Sequence, residues 1–219
     1  MKYEIWGEIC PAVTLKLNSG ESVFTEQGGM SWMTDGIELC TSKQSGFRKF
    51  ISNVNFLAEY KAFKDHQEIT FSATRAGHIL AFDISEGHYV VGQKAQFLCC
   101  EEGVVIKDYM TRSTKSIPGG EGYRLQQYEG CGKIFMEMTG SVRKIELEAG
   151  ERMFVESGNL AAWDSTVHHE VQFVRNFKSM LFGGEGTLIS TVEGPGRIWL
   201  QTAPVSELSK RVLPYMHED

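Results

Sequence analysis

Five cations recur at a fixed spacing in this chain, and clustered cations attract anionic groups. Lys49, Arg112 and Arg175 are 63 residues apart, from 49 to 112 and from 112 to 175, and Lys115 and Lys178 repeat that step. They lie in three short basic segments, "FRKFI", "MTRSTKS" and "VRNFKSM". In an otherwise acidic chain, this recurrence predicts a rim that binds phosphate-bearing partners or an anionic membrane surface. The alternative is that these cations are solvated loop residues.

The other residue types that do chemistry form no pattern that specifies a reaction. His168 and His169 are neighbours in a predicted strand, so their side chains face opposite ways and cannot easily share a metal ion. The sequence contains no G-x-S-x-G and no zinc-type cysteine spacing. Glu101, Glu102 and Asp164 are the carboxylates that resemble an acid–base pair, and we expect them to be solvated in strand-end turns. We therefore predict no catalytic residue, no metal site and no cofactor.

A glycine-rich stretch occurs twice, as "GGEGYRLQQYEGCGKIFM" from Gly119 and as "GGEGTLISTVEGPGRIWL" from Gly183. Glycine-rich loops that cradle phosphate precede a helix, whose N-terminal amides face the anion. Here a predicted strand follows each GGEG, and G-K-[ST] is absent. We interpret the glycines as turns, with Gly130–Gly132 and Gly194–Gly196 forming tight reversals after the strand.

The duplication extends over the whole chain. "GESVFTEQGGMSWMT" from Gly20 matches "GERMFVESGNLAAWD" from Gly150, with Phe24 aligned to Phe154, and a weaker copy starts at Gly87. The segments that precede these three glycines, "VTLKLNSG", "ILAFDISEG" and "RKIELEAG", alternate with the period of a β-strand. The sequence therefore predicts an all-β chain of three internal repeats, each of roughly 64 residues.

The repeats are expected at about residues 1–66, 67–130 and 131–204, within a single domain. Residues 205–219 are expected to form a tail or a short helix with Ser206 as its N-cap. The third copy stops early in the sequence, and the N-terminal "YEIWGEICP" is expected to complete it. The two termini would then meet at one closure.

Large apolar residues recur at two positions of the repeat. The two series are Met30, Phe97 and Leu160, and Met33, Cys100 and Trp163, with Trp32 beside the second. A β fold buries such residues in its core. The alternatives are an apolar pocket near a pseudo-threefold axis or an interface between protomers.

Composition restricts the class of protein. With 42% hydrophobic and 23% charged residues the chain is globular, and its net charge of −6 disfavours nucleic acid as the main partner. Five cysteines without C-x-x-C indicate reduced thiols. The N-terminus lacks the apolar stretch of a signal peptide, and no run of apolar residues is long enough to span a membrane. We expect a cytoplasmic protein.

Several segments resemble the altered-inheritance-of-mitochondria family, long carried in bacteria as a domain of unknown function. They are "GGMSWM", "NLAAWDSTVHHEV", "FGGEG" and "EGPGRIWLQT", and the resemblance runs from about Gly20 to Pro204. The chain departs from the family pattern in its first insert, "SGFRKFISNVNFLAEYKAF", which lacks the G-E-x after the basic segment. The resemblance implies a fold similar to the tryptophan RNA-binding attenuator (TRAP), whose small β-sandwich units assemble side by side into rings. Three fused TRAP-like units with pseudo-threefold symmetry would form one protomer.

The resemblance also implies a kind of function. The family has no established enzymatic reaction, and its eukaryotic relatives are linked to the organisation of the mitochondrial inner membrane. We therefore expect a non-enzymatic scaffold or binding protein that forms a homo-oligomer, presents the basic rim and binds a protein partner that the sequence does not name. Two alternatives stay open: an RNA- or anionic-ligand-binding ring, which rests on fold analogy alone, and a small-molecule-binding or cupin-like metal-dependent enzyme.

Overall fold

The structure is a computed structural model, and it describes residues 1–40, 57–110, 124–174 and 187–212. These residues form nineteen strands, one α-helix and a short 3-10 helix (Lys94–Gln96). In chain order the strands are β1 (Lys2–Trp6), β2 (Ala12–Leu17), β3 (Ser22–Glu26), β4 (Trp32–Met33), β5 (Ile37–Cys40), β6 (Leu57–Ala62), β7 (Gln67–Ser72), β8 (Gly77–Ile84), β9 (Val90–Gln93), β10 (Phe97–Glu101), β11 (Val104–Tyr109), β12 (Leu125–Gly130), β13 (Gly132–Thr139), β14 (Val142–Leu147), β15 (Arg152–Glu156), β16 (Leu160–Asp164), β17 (His168–Val174), β18 (Thr187–Glu193) and β19 (Gly196–Gln201). The helix, α1, spans Val205–Val212. The prediction of an all-β chain is confirmed.

The strands form four antiparallel sheets. Sheet I has the order β1-β2-β7-β4, and sheet IV has the order β15-β18-β17. The other two sheets have six strands each: sheet II, β5-β6-β3-β10-β13-β8, and sheet III, β11-β12-β9-β16-β19-β14. Adding six to each strand number of sheet II gives sheet III, so the two sheets have the same connectivity.

Apolar residues join the sheets through three clusters of buried side chains. The first cluster includes Leu15 of sheet I and Phe135 of sheet II. The second includes Phe24 of sheet II and Tyr128 of sheet III, and the third joins sheet III to sheet IV. Sheets II and III are thus covered on both faces, which sheets with apolar residues at successive positions require.

Strand β10 shows how the sequence produces this covering. Cys99 and Cys100 are adjacent and both are fully buried, but Cys99 belongs to the first cluster and Cys100 to the second. Side chains alternate between the two faces of a strand, so the pair lies on opposite faces. All five cysteines are free thiols.

The glycine pair between β12 and β13 forms a reversal, as predicted. Gly130 has a φ of 99°, and a Cβ placed there would lie 2.2 Å from the carbonyl oxygen of Gly103. A left-handed backbone in such close contact favours glycine. The GGEG segments themselves lie outside the described residues, and each is followed by a strand, β12 or β18.

The N-terminal segment does not complete the third copy, so that expectation is wrong. Strand β1 pairs along its length with β2, with Tyr3 opposite Leu15, and the Tyr3 ring packs edge-on against Phe135 at 5.0 Å between centroids. The last strand, β19, pairs instead with β14 and β16. Ser206 lies in the first turn of α1 rather than before it. In the part of the chain that the structure describes, no helix is long and apolar enough to cross a membrane.

Candidate functional site

The predicted cations lie outside the described residues. Lys49 falls between β5 and β6, Arg112 and Lys115 between β11 and β12, and Arg175 and Lys178 between β17 and β18. In each case the two flanking strands pair with each other and run antiparallel. All three basic segments therefore link equivalent strands. The rim therefore stays a prediction from the sequence.

The two neighbouring histidines do face opposite ways. His168 is exposed, whereas His169 is 2% exposed and its ring lies 4.4 Å from that of Trp163. His169 Nε2 is 3.1 Å from Ser190 Oγ, and Ser190 Oγ is 2.8 Å from Ser157 Oγ. All three polar side chains are buried, so this line of hydrogen bonds lies within the third cluster, away from solvent.

Burial sets the charge of His169. Desolvation, assisted by the nearby His168, lowers its pKa from 6.5 to about 4. The ring is therefore neutral at physiological pH. Its Nδ1 atom is buried without a hydrogen-bond partner in the structure. The neutral imidazole therefore packs in the core between the Trp163 ring and the buried Ser190 hydroxyl.

Asp164 is held by an arginine, not by solvent. It is 4% exposed, and Arg197 donates from Nε to Oδ2 at 2.6 Å and from Nη2 to Oδ1 at 3.1 Å. This hydrogen bond raises the pKa of the Arg197 guanidinium. His88 Nε2 lies 3.4 Å from Oδ1. The expectation that Asp164 is solvated is wrong, because an arginine on the neighbouring strand compensates its burial.

The other two carboxylates of that set have separate roles. Glu101 accepts a hydrogen bond from the backbone N–H of Lys133 at 2.9 Å, and Glu102 is exposed in the turn after β10. Nothing in the described residues joins either one to Asp164 by a hydrogen bond. The three carboxylates therefore do not form an acid–base pair.

An open cleft of about 490 Å³ is lined by residues 85–89 and 129–131, among them His88, which contacts Asp164. It brings His88 and the exposed Cys131 to one surface, a proximity that sequence spacing does not reveal. Within the described residues no hydrogen bond joins the Cys131 thiol to the His88 ring. The buried thiols of Cys99 and Cys100 have raised pKa values because burial disfavours the thiolate, so neither is a nucleophile.

The open edge of sheet IV carries an exposed aromatic residue. Phe154, in the middle of β15, is 73% exposed. Strand β15 pairs with β18 on one side, and no other strand of the described residues pairs with its second side. Phe24, which aligns with Phe154 in sequence, is 2% exposed because β10 lies beside it with Cys100 opposite.

The open edge of sheet I is also apolar. Trp32 and Met33 of β4 are 52% and 37% exposed, and β4 pairs with β7 alone among the described strands. The exposed ring of Trp6 lies 6.1 Å from that of Trp32. Exposed apolar patches of this kind are typical of surfaces that bind another molecule.

The two apolar series of the sequence are thus buried only in part. Phe97, Leu160, Cys100 and Trp163 are buried in the core, as a β fold requires, whereas Met33 is exposed. The exposure of Phe154 was not predicted from the sequence. Its alignment with Phe24, a residue of the core, was the available signal.

Comparison with known proteins assigns the chain to a family. A sequence model of mitochondrial biogenesis AIM24 matches residues 3–203. The chain belongs to the AIM24 family. This confirms the resemblance seen in the motifs from Gly20 to Pro204, and the match covers nearly the whole length of the chain.

The relatives carry no functional description. An uncharacterised protein of Streptococcus pyogenes serotype M6 is 26% identical over 220 residues, which cover 93% of this chain and 87% of that protein. The crystal structure of a Streptococcus pyogenes protein superposes with a TM-score of 0.79 at 20% identity, covering 98% of this chain and 99% of that one. At this identity the likeness shows that the two proteins share a fold.

Proposed function

We propose that this protein is a non-enzymatic scaffold of three TRAP-like units that assembles with copies of itself and presents its basic segments to an anionic partner. Each unit would contain six strands: β2–β7, β8–β13 and β14–β19, so that the boundaries fall after Ser72 and after Thr139 rather than at about 66 and 130 as expected from the sequence. Strand β1 would be an addition to the first. The identical connectivity of sheets II and III supports this division, because sheet II would join units one and two, and sheet III units two and three.

The strand registers support the same division. At the junction of units one and two, β3 pairs with β10 and Phe24 lies opposite Cys100. At the junction of units two and three, β9 pairs with β16 and Val91 lies opposite Trp163. All four side chains are buried. Each junction therefore continues a sheet from one unit into the next and closes an apolar core around it.

The observation that carries the proposal is that both ends of this series are incomplete. In the third unit, Phe154 occupies the position that Phe24 and Val91 occupy in the first two units, and it is exposed. In the first unit, Met33 occupies the position that Cys100 and Trp163 occupy in the other two, and it is also exposed. Burying a phenylalanine or methionine side chain stabilises a complex by about 1.5–3 kcal/mol. Edge strands with such residues favour pairing with another chain.

Surface recognition, rather than chemistry, suits the groups that the structure describes. His169 is buried and neutral, Asp164 is occupied by Arg197, and Cys99 is buried with a raised pKa. The basic segments occur once per unit, so an oligomer would multiply them. Repeated weak contacts with an anionic surface add up through effective concentration.

Native mass spectrometry of the purified protein tests both parts of the proposal. We expect a complex of two or more chains, with a mass that is the corresponding multiple of 24.6 kDa and with no additional bound mass. A single chain under all conditions would contradict the scaffold. A metal ion or small molecule retained in stoichiometric amount would instead favour a ligand-binding or enzymatic role.

A further inference from the structure

We infer that the copies join head to tail, by antiparallel pairing of β15 of one chain with β4 of the next, with Phe154 opposite Met33. This inference rests on the proposed function, since it specifies the contact by which the scaffold assembles. The occupant of each open end of the sheets is then a second copy of this chain. The joined sheet would have the order β17-β18-β15-β4-β7-β2-β1, which continues the pattern of sheets II and III.

The register follows from the two internal junctions. At both junctions a residue of a first column, Phe24 or Val91, lies opposite a residue of a second column, Cys100 or Trp163. Phe154 continues the first column, because it aligns with Phe24 in "GESVF" and "GERMF". Met33 continues the second column. Placing Phe154 of one chain opposite Met33 of the next therefore gives the register between β15 and β4.

The ladders inside the chain place Met33 independently of sequence alignment. Each residue of the second column lies opposite an isoleucine on the next strand, and the pairs are Met33 with Ile69, Cys100 with Ile134, and Trp163 with Ile198. Strand β4 therefore presents its residues to the missing neighbour as β10 and β16 do to β3 and β9. A slip by one residue would turn every side chain to the wrong face.

In this register each exposed side chain reaches an apolar core. Phe154 would lie beside the first cluster, where Met30 already packs. Trp32 would lie opposite Val155, which belongs to the third cluster. The corresponding residues at the internal junctions, Cys99 and Ala162, are fully buried. The contact would thus complete two cores at once.

Charge also favours this register. Two residues beyond Phe154 and Met33, the register brings Arg152 of β15 near Asp35, which lies in the turn after β4, and these carry opposite charges. Both are exposed: Arg152 contacts Glu193 of its own sheet, and Asp35 lies 3.3 Å from Lys64. Opposite charges on facing segments attract each other, and like charges there would oppose the contact.

A head-to-tail contact has a consequence for assembly. The two surfaces are different, so each chain keeps one free end of each kind after pairing. Such contacts form closed rings when the rotation closes and open filaments when it does not. Pairing of β4 with β4 or of β15 with β15, by contrast, would stop at a dimer.

Cysteine cross-linking tests the register. In a background with Cys10, Cys40 and Cys131 replaced by serine, one chain carries Met33→Cys and a second carries Phe154→Cys. Residues directly opposite in an antiparallel pair have Cβ atoms close enough for a disulfide. We expect mild oxidation of the co-expressed chains to give a covalent dimer, and neither variant alone to give one. The mismatched mixture of Trp32→Cys and Phe154→Cys chains, whose thiols face opposite sides, should give none.

Each other outcome overturns the inference in a distinct way. A covalent dimer from either variant alone would indicate pairing of like edges. A link within the doubly substituted chain, with none between mixed chains, would indicate that one chain closes on itself. Absence of the link in a protein that native mass spectrometry shows to be oligomeric would reject this contact while leaving the scaffold intact. A monomeric wild-type protein would reject both.

A second pair of cysteine substitutions controls for the possibility that replacing Met33 and Phe154 weakens the contact. Asp35→Cys, in the turn after β4, and Arg152→Cys lie two residues further along, at exposed, polar positions. They should cross-link in the mixture as the first pair does. If neither pair cross-links in an oligomer of unchanged mass, the register is wrong.

Discussion

Phe24 and Phe154 align in sequence and each lies in the middle of a strand, yet Phe24 is buried and Phe154 is the most exposed of the large aromatic residues that the structure describes. The difference lies in their neighbours. Strand β3 pairs on both sides, with β6 and β10, whereas β15 has a described partner only in β18. The buried ring of Phe24 thus stabilises the protomer, whereas the exposed ring of Phe154 is open for contact with another molecule.

Alanine substitutions at these two positions should separate folding from assembly. Phe24→Ala should lower the free energy of unfolding by about 3–5 kcal/mol, because it leaves a cavity in a packed core. Phe154→Ala should change it by less than about 0.5 kcal/mol under monomeric conditions, because the ring is exposed. Urea unfolding of dilute protein measures both. Equal losses would contradict the exposure of Phe154.

His169 should make stability depend on pH. Its pKa is lowered to about 4 in the folded protein from 6.5, so between these values the unfolded chain binds the extra proton. The contribution is complete above pH 6.5 and is lost as pH falls toward 4, by about 1.4 kcal/mol per pH unit. Urea unfolding between pH 7.5 and 4.5 measures this slope. His169→Phe should reduce the slope, and an unchanged slope would contradict the buried neutral ring.

Asp164 should matter for stability through Arg197. Asp164→Asn removes the charge from a buried, doubly hydrogen-bonded carboxylate and should cost about 1.5–3 kcal/mol. The matched control is Asp83→Asn, which removes the exposed partner of Lys133 and should cost less than about 1 kcal/mol. Thermal unfolding compares the two variants. Equal effects would mean that the Asp164–Arg197 pair is not structural.

Local patterns in the sequence predicted the strands and turns well. Alternation identified β2, β8 and β14, and the Gly130–Gly132 reversal was correctly predicted. These features depend on neighbours within a few residues. Their physical cause, the two-residue period of a strand, is readable in one segment.

Features that depend on distant residues were not predictable in the same way. Asp164 was expected to be solvated, and the arginine that neutralises it lies 33 residues later. The N-terminal strand was expected to complete the third copy, but its partner is β2, where Tyr3 reaches Phe135 of another sheet. No local pattern encodes which strand lies alongside. The exposure of Phe154 likewise depends on the second side of β15, with which no strand of the described residues pairs.

Charge reversal tests the predicted rim. Lys49→Glu, Arg112→Glu and Arg175→Glu together should abolish salt-sensitive binding to vesicles that contain phosphatidylserine, since surface cations each contribute about 1 kcal/mol to such binding. The control reverses Lys16, Lys64 and Lys144, which are exposed, and changes the net charge equally, from −6 to −12. Co-sedimentation with vesicles measures binding. Equal loss in both variants would indicate a net-charge effect, and salt-sensitive binding of RNA instead would favour the alternative ring.

The central claim, that the open ends of the sheets join copies of this chain, is tested most directly by the solution mass of two proteins. Light scattering over a range of concentrations should show that the wild type is an oligomer, with a mass of at least twice 24.6 kDa. Phe154→Lys places a charge in the contact and should reduce the mass to that of one chain, with the circular dichroism spectrum unchanged. A wild type that is monomeric throughout, or a variant with the same oligomeric mass as the wild type, would contradict the claim.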